Sequence, residues 1–360
     1  MTALTKTSGS THSSSVITRR MRPFLASATV TLFTLMILMV WLSPFGYMVT
    51  TGLKDRQMIT EQGAPIWPAT PTTFTYEGKD YPIHLVPTED GTIHRWAIFK
   101  KGREESLFID PENPEAEPIQ WTGRWRTLKR DWKFSPKWGN FTRAWEELGM
   151  PLLLRNTLVI AITGAIGTLL SCIAVAYGFS RFRIPGKNIL FMILVSTMIL
   201  PTFVTLVPTY VLFNQIGWVG TWLPLIVPHF FANAYNVFLL RQFFMAIPRE
   251  LDEAAMIDGA GPLRTLISII LPQAIPVIVS VGVLHIVWAW NDYFNPLIYL
   301  ATKPELQPIS IAIQSYNALY FAQPHMVQAS SLLGLVLPVI LFFAAQRFLM
   351  QGVVFTGVEK

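Results

Sequence analysis

The sequence predicts an all-α polytopic membrane protein with six transmembrane helices and a β-containing insert outside the membrane between helices 1 and 2. Three observations carry this reading. Of 360 residues, 51% are hydrophobic and 14% charged, against about a quarter charged in ordinary soluble domains. Six stretches are long and apolar enough to cross a hydrocarbon core, which takes about 20 residues. The remaining charge is uneven: residues 51–150 hold half of the 28 Lys and Arg and most of the 22 Asp and Glu.

In chain order, residues 1–22 read as a disordered tail, since Thr2 to Ser15 is Ser/Thr-rich and too polar to pack. Residues 23–50 read as the first helix. Arg19, Arg20 and Arg22 precede it as in a signal peptide, but the run Phe24–Leu42 is longer than a signal core and no small-x-small site follows Pro44. It is expected to remain as a span. The others fall near 153–180, 188–213, 221–245, 274–299 and 326–350, inside a core of residues 151–350 that carries a cytoplasmic loop at 246–273. Residues 351–360 form a second tail.

The insert, 51–150, has alternating runs at Tyr81–Val86, Thr92–Lys100 and Ser106–Ile109. Turn-forming residues separate them: Glu77-Gly78-Lys79-Asp80, Glu89-Asp90-Gly91 and Asp110-Pro111. A small antiparallel sheet is expected. Trp121, Trp125, Trp132, Trp138 and Trp145 follow, suited to packing on that sheet or to the headgroup layer where indoles collect.

Orientation follows from Lys and Arg in the short loops. Lys6, Arg19, Arg20 and Arg22 precede span one. Arg181, Arg183 and Lys187 lie between spans two and three, and Arg241, Arg249 and Arg264 between four and five. Arg347 and Lys360 close the chain. The opposite side has only Lys303. Both termini are therefore expected in the cytoplasm.

Several classes of chemistry are absent from the sequence. The single cysteine, Cys172, lies in an apolar run and reads as a buried small residue; no CxxC or Cys/His zinc spacing occurs, and no metal site is expected. No G-x-x-x-x-G-K-[ST] loop is present to cradle nucleotide phosphates. Were the chain a transporter, its energy would come from a partner or from an ion gradient. His229, His285 and Asp292 are the intramembrane ionisable candidates, a thin set for an ion-coupled secondary transporter. A membrane enzyme would need its site in the insert, where His84 and His94 lack metal-ligand spacing and no nucleophile–base arrangement occurs. The charge balance of +6 fits a membrane surface and calls for no nucleic acid.

Between spans four and five lies Ile247-Pro-Arg-Glu-Leu-Asp-Glu-Ala-Ala-Met-Ile-Asp-Gly-Ala-Gly-Pro-Leu-Arg. Pro248 suits a first helical position, and Glu250, Asp252 and Glu253 suit the positive helix end. Gly259 suits a left-handed cap. A second segment, Leu263–Leu271, is expected to end at Pro272. From these residues alone, an ordinary interfacial helix and a partner-binding helix fit equally well.

The stretch Glu253-Ala254-Ala255-Met256-Ile257-Asp258-Gly259-Ala260, with Leu271-Pro272 and Pro276 beyond, resembles the "EAA" signature of permease subunits of binding-protein-dependent ATP-binding-cassette importers. Phe238-Leu-Leu-Arg-Gln-Phe-Phe with Ile247-Pro248, Trp290-Asn291-Asp292-Tyr293 with Pro296-Leu297, and Gln346-Arg347-Phe348-Leu349 with Gly352, Gly357 and Val358 resemble the carbohydrate, maltose-type branch. So do Asn140-Phe141 through Trp145 and Asn156-Thr157. The likeness is to the shorter of that transporter's two membrane subunits.

The resemblance implies the type I importer permease fold in a bacterial cytoplasmic (inner) membrane. It also implies a second homologous permease, two cytoplasmic ATPase subunits that bind ATP and Mg, an extracytoplasmic substrate-binding protein and a sugar substrate. This chain would be non-catalytic and bind no cofactor. Glu253, Ala254, Ala255, Asp258 and Gly259 would couple it to the ATPase. Leu266 stands where the family usually has an aromatic, and remains an apolar plug. Sugar recognition calls for hydroxyl-matching polar groups and stacking rings, which spans four and five offer as Asn233, Asn236, Trp288, Trp290, Asn291 and Asn295. Interhelical hydrogen bonding is the competing role for these residues. The long insert lies outside the resemblance; a docking surface for the binding protein or the companion permease is the expectation, with a stabilising cap as the alternative.

Overall fold

A computed structural model describes the chain from residue 13 to residue 354, apart from Gln62, Glu89 and residues 318–321. Most of the expected polar tail, 1–12, lies outside the described residues, as does 355–360. The first helix begins earlier than the sequence reading placed it. α1 runs Ser13–Gly52 and continues through Pro23 and Pro44.

The elements follow in order: α2 (Arg56–Thr60), β1 (Ala69–Pro71), β2 (Thr73–Tyr76), β3 (Lys79–Pro87), β4 (Ile93–Lys100), β5 (Glu105–Ile109), β6 (Ile119–Thr122), β7 (Lys129–Arg130) and β8 (Trp132–Phe134). Then come α3 (Gly139–Glu147), α4 (Met150–Arg181), α5 (Lys187–Ser196), α6 (Thr202–Gln215), α7 (Leu223–Ile226), α8 (Ala234–Ala246) and α9 (Glu250–Ile257). α10 (Pro262–Thr265), α11 (Leu271–Gln273), α12 (Ile275–Asn291), α13 (Phe294–Tyr299), α14 (Ile309–Ala312) and α15 (Pro324–Val354) complete the chain.

Four helical stretches suffice singly to cross a membrane: Leu25–Gly52, Met150–Arg181, Leu223–Ala246 and Pro324–Leu349. With each of two bent pairs taken as one span, the number among the described residues rises to as many as six. Helices dominate here because hydrocarbon offers backbone amides and carbonyls no partner outside the segment itself. The third span breaks at Leu200-Pro201 between α5 and α6. The fourth passes through a 3-10 turn at Val227–Phe230. The fifth differs from the expected straight 274–299: Pro262–Gln273 and Ile275–Asn291 meet at 80°. Pro272 and Pro276 remove two amide donors on either side of Ala274, and a π-helical turn, Leu266–Ile270, precedes the bend. The expected stop at Pro272 is thus a change of axis, and 294–299 is a separate helix.

α4 is the centre of the bundle. Gly164 permits its close approach to α12: a Cβ there would sit 2.7 Å from His285 Nε2. Small residues at a helix crossing are the usual means of close packing in a membrane. Cys172 is fully buried beside Ala176, Val237, Leu240, Phe244 and Ile270.

The insert forms an antiparallel sheet, β2-β3-β4-β5-β6, with β7 pairing β3 and a separate β1–β8 pair. The three predicted runs are β3, β4 and β5. β2 and β3 join through Glu77-Gly78, both at positive φ (49° and 75°), a two-residue turn whose twist matches the strands. Val86, Trp96, Ile98 and Phe108 form its core, with Trp121 and Trp125 packed against them.

His84 lies buried among Phe108 and Trp125, with Nδ1 3.1 Å from the Pro82 carbonyl. Burial, helped by the nearby Arg130 and Lys101 charges, lowers its pKa to about 4 from 6.5. Between those values the unfolded chain holds the extra proton, so the insert loses stability as pH falls from 6.5 towards 4. Hydrogen exchange of residues 83–86, corrected for intrinsic rates, should quicken over that range and stay flat in His84→Phe. Protection independent of pH in the wild-type chain would contradict this.

Candidate functional site

The loop between α8 and α12 carries the first group of candidate residues. α9 begins at Glu250 with Arg249 as its cap, so Pro248 lies just before the helix rather than at its first position. Glu250, Asp252 and Glu253 occupy the first turn, where the helix end favours anions. The helix closes through a pair of reversed bonds: Ala260 N–H donates to the Ala255 carbonyl at 2.8 Å and Gly259 N–H to Met256 at 3.0 Å. Gly259 has φ +75°, as this closing motif requires. A Cβ at Gly259 would meet nothing within 4 Å, so the backbone angle alone calls for glycine.

The five predicted residues of this loop divide between two faces. Glu253, Ala254, Asp258 and Gly259 are exposed, whereas Ala255 is buried and turned to the bundle with Asp252. The outward surface is also apolar: Met256 and Ile257 stand in the open, and Leu263 beside them. Leu266 is buried with Tyr177, Phe244, Ile247 and Ile270, as an apolar plug should be.

The residues that hold α9 in place were not singled out in the sequence. Asp252 Oδ2 lies 3.0 Å from Arg181 Nε at the end of α4, with both side chains close to fully buried. Arg181 Nη2 also donates to the Ile247 carbonyl at 3.0 Å. Tyr177 donates to the Pro262 carbonyl at 3.0 Å on the far side of the loop. The loop is therefore fastened to α4 before α9 and after it.

The second group lies within the membrane. A cavity of about 900 Å³ is lined by Asn233, Asn236, Trp288 and Asn291, together with His229, His285 and Asp292. Tyr235 and Tyr293 also line it. A smaller cavity of about 260 Å³ shares His229, Trp288 and Asp292 and contains Asn295. Trp290 stands apart from the other predicted residues. It is buried against Met150, Leu153 and Ile309, and its indole donates to the Gly334 carbonyl at 3.1 Å. Two residues on from Trp288, it faces roughly the opposite side of α12.

The side chains of Asn233, Asn291 and Asn295 also have partners within the chain. Asn233 Oδ1 caps α8 by accepting from Asn236 N–H at 3.0 Å, and Asn291 donates to the Val287 carbonyl at 2.8 Å. Asn295 Nδ2 donates to Asp292 Oδ2 at 3.0 Å. His285 Nδ1 lies 3.2 Å from Thr168 Oγ1, and its ring meets His229 edge-on at 4.6 Å. Among the described residues, no group of three His, Cys, Asp or Glu is arranged to hold a metal ion.

Residues 167–354 match the family described as the binding-protein-dependent transport system inner membrane component. The osmoprotective compounds uptake permease protein GgtD of Synechocystis sp. is 27% identical, over 78% of this chain and 92% of its own length. The sn-glycerol-3-phosphate transport system permease protein UgpE of Pectobacterium atrosepticum is 31% identical, over 60% and 79%. The alpha-glucoside transport system permease protein AglG of Rhizobium meliloti is 25% identical, over 61% and 60%. A solved chain of a bacterial ABC transporter that imports the acidic polysaccharide alginate shares the fold, with a TM-score of 0.61 and 16% identity over 95% of this chain and 100% of that one. The chain thus belongs to the family of binding-protein-dependent inner-membrane transport components: it is a non-catalytic, multi-pass permease subunit of an ABC importer, which works with a binding protein and with partner ATPase subunits that handle the ATP.

Proposed function

We propose that this permease forms half of the path for a neutral, polyhydroxylated solute of the sugar class, beside a second homologous permease. The observation that supports this is the lining of the 900 Å³ cavity: amides, indole and phenol rings, imidazoles and one carboxylate, with no Lys or Arg among the described residues. Amides match hydroxyl groups as donors and acceptors, and rings stack on sugar faces. The relatives named for α-glucosides and for sn-glycerol-3-phosphate differ in the charge of their solutes. A phosphate would ask for a cation, and Asp292 offers the opposite charge. Neutral solutes fit this half of the path better.

In this reading both termini, the Lys/Arg-rich loops and α9 lie in the cytoplasm, and the β insert lies outside. Glu253, Ala254, Asp258 and Gly259 meet the ATPase together with Met256 and Ile257, while Ala255 packs the helix onto its own bundle. When the ATPase subunits close on ATP, α9 is displaced, and its ties to Arg181 and Tyr177 pass the motion to α4, which lines the path. An ion-coupled carrier or a membrane enzyme is excluded by the family.

Two outcomes test the reading in the importer complex reconstituted with its binding protein. Asn236→Leu and Asn291→Leu should each raise the KM for uptake of a labelled α-glucoside about fivefold, the loss of roughly 1 kcal/mol of hydrogen bonding. Uptake of sn-glycerol 3-phosphate in preference to the glucoside would contradict the proposed substrate class. Gly259→Val should cost about 1–2 kcal/mol through the positive φ alone and lower the solute carried per ATP hydrolysed. Gly259→Asn should be milder, because asparagine tolerates that conformation. An unchanged ratio of uptake to hydrolysis in Gly259→Val would remove Gly259 from the coupling role.

A further inference from the structure

We propose that the β insert is seated on the bilayer by an aromatic foot, formed by Ile66, Trp67, Phe134, Trp138 and Trp145, which enters the lipid headgroup layer on the insert's side of the membrane. All five are large, apolar or indole-bearing, and exposed: Ile66 to 79%, Trp67 to 55%, Phe134 and Trp138 to 66%, and Trp145 to 43%. They contrast with Trp121 and Trp125, which cover the sheet's own core.

Their place along the chain identifies what covers them. The Ser135 N–H donates to the Pro68 carbonyl, which sets the segment containing Ile66 and Trp67 beside Phe134. The Lys137 N–H donates to the Leu53 carbonyl at 2.8 Å, one residue past the end of α1. Asn140 Nδ2 donates to the Gly52 and Lys54 carbonyls, at 2.8 and 2.9 Å. The foot is thereby pinned to the end of one membrane span, and α3 leads directly into the next at Met150. Two crossing helices end at this level, so the bilayer surface passes through it.

α3 supports the same occupant by its three faces. Trp138, just before the helix, lies on one stripe with Phe141 and Trp145, at the three- and four-residue spacing of a helix face. Ala144 and Leu148 pack inward against Tyr316 and Met326. Arg143 and Glu147 form a third face, where Arg143 Nε lies 2.7 Å from Glu147 Oε1 and Tyr316 donates to Glu147 Oε2 at 2.9 Å. A short helix with one face on protein, one charged and one aromatic suits the water–lipid boundary, because an indole places its ring in the apolar layer and its N–H among headgroups. Lys133 and Lys137, beside the foot, suit anionic headgroups.

The consequence is mechanical. A seated foot fixes the insert at one height and orientation, with the loop containing Glu112 and Glu115 free in water for other components to meet. The inference requires only that α1 and α4 cross the membrane and does not depend on the identity of the solute.

Site-directed spin labelling tests it in the whole complex reconstituted in liposomes, in a Cys172→Ser background. Labels at Trp67→Cys, Phe134→Cys and Trp138→Cys should show high collision rates with oxygen and low rates with a water-soluble nickel complex. A label at Glu115→Cys should show the reverse. Labels at the foot that behave like Glu115→Cys would place it in water and overturn the proposal. Labels shielded from both agents would show a protein partner on the foot, and would overturn it equally. Quenching of tryptophan fluorescence by bromine-labelled lipids in the unlabelled complex, reduced in Trp67→Phe/Trp138→Phe, gives the same answer without a cysteine. Undiminished quenching in that variant would also count against the foot.

Discussion

One buried contact carries the connection between the two working parts of this permease: Arg181 at the end of α4 against Asp252 in the first turn of α9. The pair removes two charges from water, which is costly unless each finds good partners. Arg181 Nη2 donates to the Ile247 carbonyl, while Arg181 Nε meets Asp252 as an ion pair without a hydrogen bond, and Tyr177 holds the other side of the same loop. Asp252 Oδ1 has no hydrogen bond among the described residues. Such a pair is therefore a poor source of stability and a good source of register. It lets α9 occupy one position on α4 and few others, which is what a lever needs.

The bilayer imposes the remaining architecture. Because lipid satisfies no backbone group, the bends in spans four and five are tolerable only where protein or a polar cavity surrounds them. The turn at Val227–Phe230 supplies His229 to the membrane cavity, and the break after Asn291 supplies Asp292 and Asn295. The irregular backbone and the polar cavity are thus two aspects of one arrangement. Straight helices in the same places would leave the cavity without those groups.

Much of this was legible in the sequence. Hydropathy pointed to the four helices long enough to cross a membrane and to the two bent pairs, and alternation with turn residues located β3, β4 and β5. The bends were not legible, because Pro208 and Pro338 lie inside continuous helices whereas Pro201 sits at a break; what decides is the surrounding packing. β1, β7 and β8 are too short to show periodicity. At the site, Gly259 declared itself through the turn chemistry after Asp258. Ala255 and Trp290 did not, because residue type says nothing of facing: Ala255 is buried with Asp252, and Trp290 turns away from Trp288. Counting around each helix separates these faces. The Arg181–Asp252 contact joins segments far apart in the chain, beyond the reach of any local pattern.

The most direct test of the account is a double-mutant cycle on that contact, read in the reconstituted complex as solute carried per ATP hydrolysed and as tryptic cleavage at Arg249 and Arg264. Arg181→Met alone leaves Asp252 buried without its partner, a loss on the order of 3–5 kcal/mol. It should free the loop, raise cleavage and lower the transport ratio. Arg181→Met with Asp252→Leu removes both charges and should recover protection, because an apolar pair can replace a buried ion pair at little cost. A single variant with normal protection and a normal transport ratio would contradict the claim that this contact connects α9 to the path.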